Sequence, residues 1–363
     1  MAEGTPVTLN PKVWWSLLGP AFRGLVLKTA KKHDDTPVRA HHEAHFNWRY
    51  ERDQPELARL YAAAKTSQWD ADDLEWGIEV DPHDEAHELI SEDLLAFPRI
   101  PQYRSLDKKS QEKQRLAMLS WILSQILHGE QGALLAACQV TESVPWIDGK
   151  LYGSTQVVDE GRHVEVFHRY LTEKLEKSYR INDNLYVIID ALAGDKRWDI
   201  KFLGMQILIE GLALGSFQAI RHATKEPLLR ELLRRVITDE ARHVHYGVIA
   251  LESYYVDELS PSERREREDW AYEISVLLRN RFLAHEFYDE HYAHAMKRKE
   301  WDALVDSTGL MDNFRRSMFK RLIPNLKRIG LLSDRIRPHY EAIGVLGWET
   351  EKAAPELATD ELF

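Results

Sequence analysis

At 363 residues the chain is long enough for two average domains or one large helical one, and a hydrophobic content of 44% is ample for a sizeable core. A net charge of −11 argues against nucleic acid as a main partner, and the one cysteine, Cys138, excludes an internal disulfide and an iron–sulfur cluster. No stretch approaches about 18 uninterrupted apolar residues, and the polar start, Met1 to Asn10, lacks a charged and then apolar leader, so the default location is cytoplasmic.

Residues 1–110 read as an irregular lead-in with short helices, packed on the bundle that the later residues form. Val13 to Leu27 is apolar but interrupted by Gly19-Pro20, so one straight helix is not expected. It reads as an arm packed on the bundle or on a second subunit, with a membrane-surface contact as the alternative. His41, His42 and His45 lie near Glu43, but no apolar register surrounds them, and a surface helix accounts for them as well as a metal does. Tyr61 to Trp76 reads as a helix running into an Asp-rich cap that holds Trp69 and Trp76. His83 and His87 fall in an acid-dominated run, 81–93, which reads as a solvated face.

Four long helical patterns come next, at 112–143, 149–178, 197–223 and 228–257. The first pair turns at Val144-Pro145 and the second at Lys225-Glu226-Pro227. Between the pairs, 182–195 carries a short apolar segment from Leu185 to Ile189. The pattern is two helical hairpins joined by an excursion. A charged amphipathic helix over 262–295 and another over 310–331, interrupted by Pro324, are expected as an outer layer of the same domain. The chain thus divides into the lead-in (1–110), a bundle core (111–260), additional C-terminal helices (261–348) and an Ala-, Glu- and Pro-rich tail (349–363) expected to be mobile.

Within the core a lone glutamate and a Glu-x-x-His pair occur, and then occur again. Glu130 precedes Glu160-Gly161-Arg162-His163, and Glu210 precedes Glu240-Ala241-Arg242-His243, both at a spacing of 30 residues from lone to paired glutamate. Asp159 and Asp239 extend the match to Asp-Glu-x-Arg-His. In antiparallel hairpins each glutamate lies about 15 residues, or roughly 22 Å, from its turn, so partners meet at equal height. Within each pair the two side chains share a helix face. A third Glu-x-x-His, Glu165 to His168, lacks this context and is a chance occurrence.

That face is also apolar. Leu123, Ile126, Leu127 and Leu134 keep helical register with Glu130, and Leu203, Ile207, Leu214 and Phe217 keep it with Glu210. Four carboxylates facing one apolar core cost several kcal/mol each without compensation, so either they are protonated or cations sit among them. Two divalent ions balance four carboxylates. Buried ion pairs tying the helices together are the structural alternative.

This pattern resembles the ferritin-like di-iron and di-manganese carboxylate superfamily. It is similar in particular to the oxygen-activating branch: hydrocarbon monooxygenase hydroxylases, acyl-carrier-protein desaturases and ribonucleotide reductase small subunits. The resemblance spans about 112–257, and the Lys65-x-x-Gln68-Trp69 segment is similar to segments that precede the bundle in oxygenase-type members. It implies an all-α, ferritin-like four-helix bundle with additional N- and C-terminal helices. Two iron ions are implied, with manganese as an alternative, and O2 as co-substrate. The expected reaction is hydroxylation, oxygenation or desaturation of a hydrophobic or aromatic small molecule, with electrons from an external ferredoxin or reductase. A homodimer is compatible with this reading.

Under the resemblance, Glu130 and His163 with bridging Glu160 serve one metal, and Glu210 and His243 with bridging Glu240 the other. Asp159 is expected to hold His243 and Asp239 to hold His163, with Arg162 and Arg242 compensating; helix-surface salt bridges are the plainer account. Leu134, Ala137, Phe167, Ala213, Leu214 and Phe217 are candidates to line a substrate pocket, although each also serves as core. Three positions depart from known members. Phe167 occupies the place of the radical tyrosine of ribonucleotide reductase, Leu214 that of the monooxygenase threonine, and Val236 that of the third histidine of aryl-amine oxygenases. A ferritin-type iron store, or a radical-generating or structural bundle, is the alternative function.

Overall fold

The computed structural model describes residues 7–81, 84, 86–92, 95, 97–307 and 309–362, and of residues 99, 309–318, 359 and 360 only the backbone. His83, and with it part of the acidic run 81–93, lies outside the described residues.

Helix α1 (Pro11–Ala21) starts at Asn10, whose side chain accepts from the Lys12 amide at 3.1 Å. It does not stop at Gly19-Pro20. A π-type turn, Phe22–Val26, carries it on, and at Gly24 a side chain would meet Val187 Cγ2 at 2.6 Å, so this close approach requires glycine. Residues 33–54 then run without regular helix, so His41, His42 and His45 are not on the surface helix expected for them. The His45 amide instead donates to the Glu142 carbonyl (2.9 Å) and Asn47 to that of Pro145 (3.1 Å), pinning the lead-in along the first hairpin. Helix α2 (Pro55–Thr66) lies across the bundle.

The four core helices are α3 (Lys108–Ser143), α4 (Ile147–Arg169), α6 (Trp198–Ala223) and α7 (Pro227–Ser253), with α5 (Asp183–Gly194) between the hairpins. Local chemistry sets their ends. Asp107 caps α3 at the Ser110 amide (2.9 Å), and Val144-Pro145 ends it. The excursion at 182–195 is a full helix because Asn182 caps it at the Asn184 amide (3.0 Å). Glu226 accepts from the Leu228 and Leu229 amides (2.8 and 2.6 Å) while Pro227 opens α7. Helix α6 has the length and composition of a membrane span, but 94% of its apolar window is buried inside the protein; it is a core helix.

The outer layer departs from its sequence pattern at two places. The single helix expected over 262–295 is two, α8 (Pro261–Arg281) and α9 (His285–His291), because Ala284 takes a left-handed φ of 49° between them. Helix α10 (Arg298–Ser307) leads to α11 (Gly309–Arg328), which continues through Pro324, and α12 (Arg337–Ala342) comes after it. The tail expected to be mobile is packed. Ala353 and Leu362 are buried, the Ala354 amide donates to Asn325 Oδ1 (2.8 Å), and Gln218 donates to the Leu362 carbonyl (2.8 Å).

The elements stack as a bundle with a jacket. Helix α3 packs on α4 and α6 on α7, while α2 crosses α4 and α7. Helix α11 covers α6, and α5 sits against α1, α3 and α8.

Candidate metal centre

All four core helices aim charged side chains at one place. Glu130 sits mid-way along α3, Glu160 and His163 on α4, Glu210 on α6 directly after a π-type segment (Leu203–Ile209), and Glu240 and His243 on α7; all six are buried. His163 Nδ1 lies 3.3 Å from Glu130 Oε2, 3.5 Å from Glu160 Oε2 and 3.2 Å from Glu240 Oε1. His243 Nδ1 lies 3.0 Å from Glu160 Oε1, 3.7 Å from Glu240 Oε1 and 4.0 Å from Glu210 Oε2. Glu160 and Glu240 therefore each stand between the two imidazoles, whereas Glu130 and Glu210 serve one side each. Ligand-capable atoms of Glu130, Glu160, His163 and Glu240 lie within 4.8 Å of one another, and those of Glu160, Glu210 and His243 do the same. Lone glutamates on two helices and Glu-x-x-His on the other two, all pointing inward, define the architecture. The bundle is ferritin-like.

Neither a protein-family model nor a curated protein matches the chain. Among solved structures it is similar to R2-like ligand-binding oxidase variants with an anaerobically reconstituted Mn/Fe cofactor. A valine-to-leucine variant and a tyrosine-to-phenylalanine variant each share 17% identity over 80% of this chain and 100% of theirs, with a TM-score of 0.46. A glycine-to-phenylalanine variant shares 17% over 77% of this chain and 95% of its own, at 0.43. Superpositions this loose assign nothing to the chain; its chemistry has to be read from the cluster itself.

The donor set of this ferritin-like cluster fits cations. Glu160 Oε2, Glu210 Oε2, both Glu240 oxygens and His243 Nδ1 are buried and have no hydrogen-bond partner among the described residues. Orphaned acceptors of this kind are costly unless something positive fills the space between them. The titration behaviour has the same origin. Burial pushes the Glu130 carboxyl up to about 8 and that of Glu210 well above the usual range, with neighbouring carboxylates adding to the rise. Burial also opposes ionisation of Glu160, but His243 and His163 outweigh it and hold that carboxyl low. Both imidazoles are raised: burial disfavours their charge, and the surrounding carboxylates more than reverse it.

Behind each imidazole stands an aspartate from the opposite hairpin. His163 Nε2 is 3.2 Å from Asp239 Oδ2, and His243 Nε2 is 3.3 Å from Asp159 Oδ2. Each ring thus offers Nδ1 to the cluster and Nε2 to a carboxylate, which fixes its tautomer. Arg162 donates to Asp159 (2.5 Å) and Asp239 (3.1 Å); Arg242 bonds Asp239 and lies 3.6 Å from Asp159. The four charges alternate around a closed ring, so each buried aspartate has cationic partners.

The sequence did not place several neighbours of the cluster at the site, although Gln68 and Trp69 belong to the segment that is similar to those preceding the bundle in oxygenase-type members. Trp69 Nε1 donates to Asp239 (2.8 Å) and Gln68 Nε2 to Asp159 (3.0 Å), while Arg162 donates back to Gln68 (2.9 Å) and stacks on Trp69 at 4.5 Å. Their signal was the Gln68-Trp69 dipeptide, which has no periodic relation to the bundle. Gln156 and Gln206, each one turn before a cluster glutamate, are wholly buried polar residues in apolar register, and that was a readable sign. Tyr152, also wholly buried, has a hydroxyl without a partner among the described residues.

The six pocket candidates are split. Phe167 and Phe217 stack with centroids 5.7 Å apart and are fully buried, and Ala137 and Leu214 are buried too. Leu134 and Ala213 are half-buried. The cavities in the lead-in lie elsewhere, one of them lined by Leu9, Pro11, Trp14, Trp15 and Leu18.

Proposed function

We propose that the protein is an oxygen-activating oxidoreductase. Glu130, Glu160, His163, Glu210, Glu240 and His243 hold two metal ions, iron in both positions or manganese in one, and O2 is used to hydroxylate, oxygenate or desaturate a hydrophobic or aromatic small molecule. The observation that carries this reading is the set of buried carboxylate oxygens and an imidazole nitrogen that have no hydrogen-bond partner among the described residues, on side chains that form two adjoining groups, each with its ligand-capable atoms within 4.8 Å of one another. Oxygen-rich ligation with only two imidazoles suits hard, redox-active ions, and such ions supply the electrons and Lewis acidity that O2 reduction needs.

The protein's own residues do the rest. Asp159 and Asp239 orient the imidazoles, and Arg162 and Arg242 pair with those aspartates and hold them in place. Phe167, four residues after His163 on α4, and Phe217, seven after Glu210 on α6, form a buried stacked pair whose apolar surface suits an oily substrate. With phenylalanine at 167 and leucine at 214, neither a radical phenol nor a hydroxyl proton donor stands at those two positions. Hydroxylation of a C–H bond by O2 consumes two electrons and two protons beyond those of the substrate. A chain with one cysteine holds no iron–sulfur cluster of its own, so a separate ferredoxin or reductase is the matching donor.

The deciding experiment is anaerobic loading with ferrous iron, metal analysis per chain, and an optical spectrum on admitting O2. About two irons and a transient visible band support the proposal. Continued uptake of iron far beyond two would make the protein an iron store, and iron without any response to O2 would remove the oxidoreductase reading.

A further inference from the structure

The sequence repeat makes the two halves of the cluster look equivalent, but their surroundings differ. Gln156 lies on α4 one turn before Glu160, wholly buried. Its Nε2 is 2.9 Å from Glu210 Oε1 and 3.3 Å from Glu160 Oε1. Carboxylate oxygens accept, so the amide must present its NH2 to both. From the other side Gln206, on the π-type segment of α6, donates its own Nε2 to Gln156 Oε1 at 3.3 Å, which fixes the same orientation.

The consequence falls on Glu210 more than on Glu160. Glu210 Oε1 is held by the amide, and Oε2, 4.0 Å from His243 Nδ1, has no hydrogen-bond partner among the described residues. Glu160 remains in reach of both imidazoles. One turn before Glu130 and Glu240 stand Ile126 and Val236, so neither of these glutamates has an amide at the position that Gln156 holds before Glu160. That half gathers four ligand residues within 4.8 Å, whereas the His243 half gathers three.

We propose that Gln156 is a positioning residue that makes the two metal positions unequal. It restricts Glu210 to a single free oxygen. The His163 half binds the first ion, and the His243 half binds a second, weaker one whose affinity depends on Gln156. Gln206 acts through Gln156 by locking its amide. The inference rests on the reading that the cluster is a metal centre, and its test must separate the two.

Anaerobic titration of the full chain with Mn2+ or Co2+ provides that separation, since neither requires turnover and the visible bands of Co2+ report coordination. The wild type is expected to bind two ions in two resolved steps. In Gln156→Leu the first step should stay within about threefold of the wild type, while the second weakens by about tenfold to hundredfold, as is typical when an outer-shell partner of a metal ligand is lost, with altered Co2+ bands confined to the second equivalent. Gln206→Leu should shift the same step in the same direction by less, and it decides the matter should Gln156→Leu not fold. Two ions bound in one unresolved step, or variants that move both steps equally or neither, would overturn this inference and leave the metal centre standing. A wild type that binds neither ion would overturn both.

Discussion

At the centre between α3, α4, α6 and α7 the protein buries Glu130, Glu160, Glu210, Glu240, His163, His243, Asp159, Asp239 and Arg162, with Arg242 half-buried beside them, whereas along the N-terminal arm it leaves large apolar side chains in solvent, with Trp15 at 75% exposed and Leu9 at 82%. The same chain thus keeps charge inside and oil outside. The interior is tolerable because each aspartate faces an arginine and an imidazole, and because the remaining carboxylates surround a place that suits cations. The arm is tolerable because only one face of α1 is exposed. Its other face, through Val13 and Gly24, is packed on the body of the bundle. Buried charge is stable where it is paired, and exposed apolar surface is stable where enough of the same helix is anchored.

The largest effect should come from emptying the interior. Glu160→Ala or Glu240→Ala is expected to abolish binding of at least one ion and leave circular dichroism largely helical. Full metal content in both variants would sink the ligand assignment. Next, Arg162→Met removes a cation shared by Asp159 and Asp239. Leaving two buried carboxylates short of a partner should cost about 3–5 kcal/mol in urea unfolding of the metal-free protein; a loss under about 1 kcal/mol, the size of a surface salt bridge, would mean that the ring of four charges does not act as a unit.

Lys201 sharpens the contrast, because it is a buried cation facing Gln139 and the carbonyls of Leu192 and Ala193, with no carboxylate in contact among the described residues. Burial pulls its ammonium down from 10.5 to about 8. Below about pH 8 the folded protein carries a charge that the unfolded chain keeps in water; between about 8 and 10.5 the unfolded state binds more protons, so this group's contribution to stability rises with pH. Lys201→Met should therefore melt higher than the wild type at neutral pH, with the gap closing across that window. A gap constant with pH would reject the account. The smallest effect is expected on the arm. Trp15→Ser should change unfolding stability by less than about 0.5 kcal/mol, because the indole touches solvent. A larger loss at dilute concentration would show that this face is packed in solution, and light scattering would then tell whether a second copy covers it.

Much of the centre was legible in the chain. The duplicated Asp-Glu-x-Arg-His, the common spacing of 30 residues and the proline turns bring Glu130, Glu160, His163, Glu210, Glu240 and His243 to one height, since helix rise is constant and a turn between helices preserves register. The contacts of Asp159 with His243 and of Asp239 with His163 were foreseen only through the resemblance, because spacing does not say which hairpin supplies an outer partner. Gln68 and Trp69 were out of reach of periodicity. They approach the aspartates from 91 residues earlier in the chain for Asp159 and 170 for Asp239, and no local rule specifies that approach. The break at Ala284 and the docking of the tail on Asn325 and Gln218 also depend on surfaces that exist only after folding.

By itself, then, the sequence determined the bundle, its two hairpins and the charged face each helix presents, because those depend on local periodicity and constant helical geometry. Tertiary structure alone decided how the asymmetry of the centre is realised in contacts. The chain shows glutamine before Glu160 and Glu210 and an aliphatic residue before Glu130 and Glu240, but which carboxylate oxygen the Gln156 amide meets depends on the π-type segment that holds Gln206 and on the packing of α4 against α6 and α7, which no repeat spacing specifies.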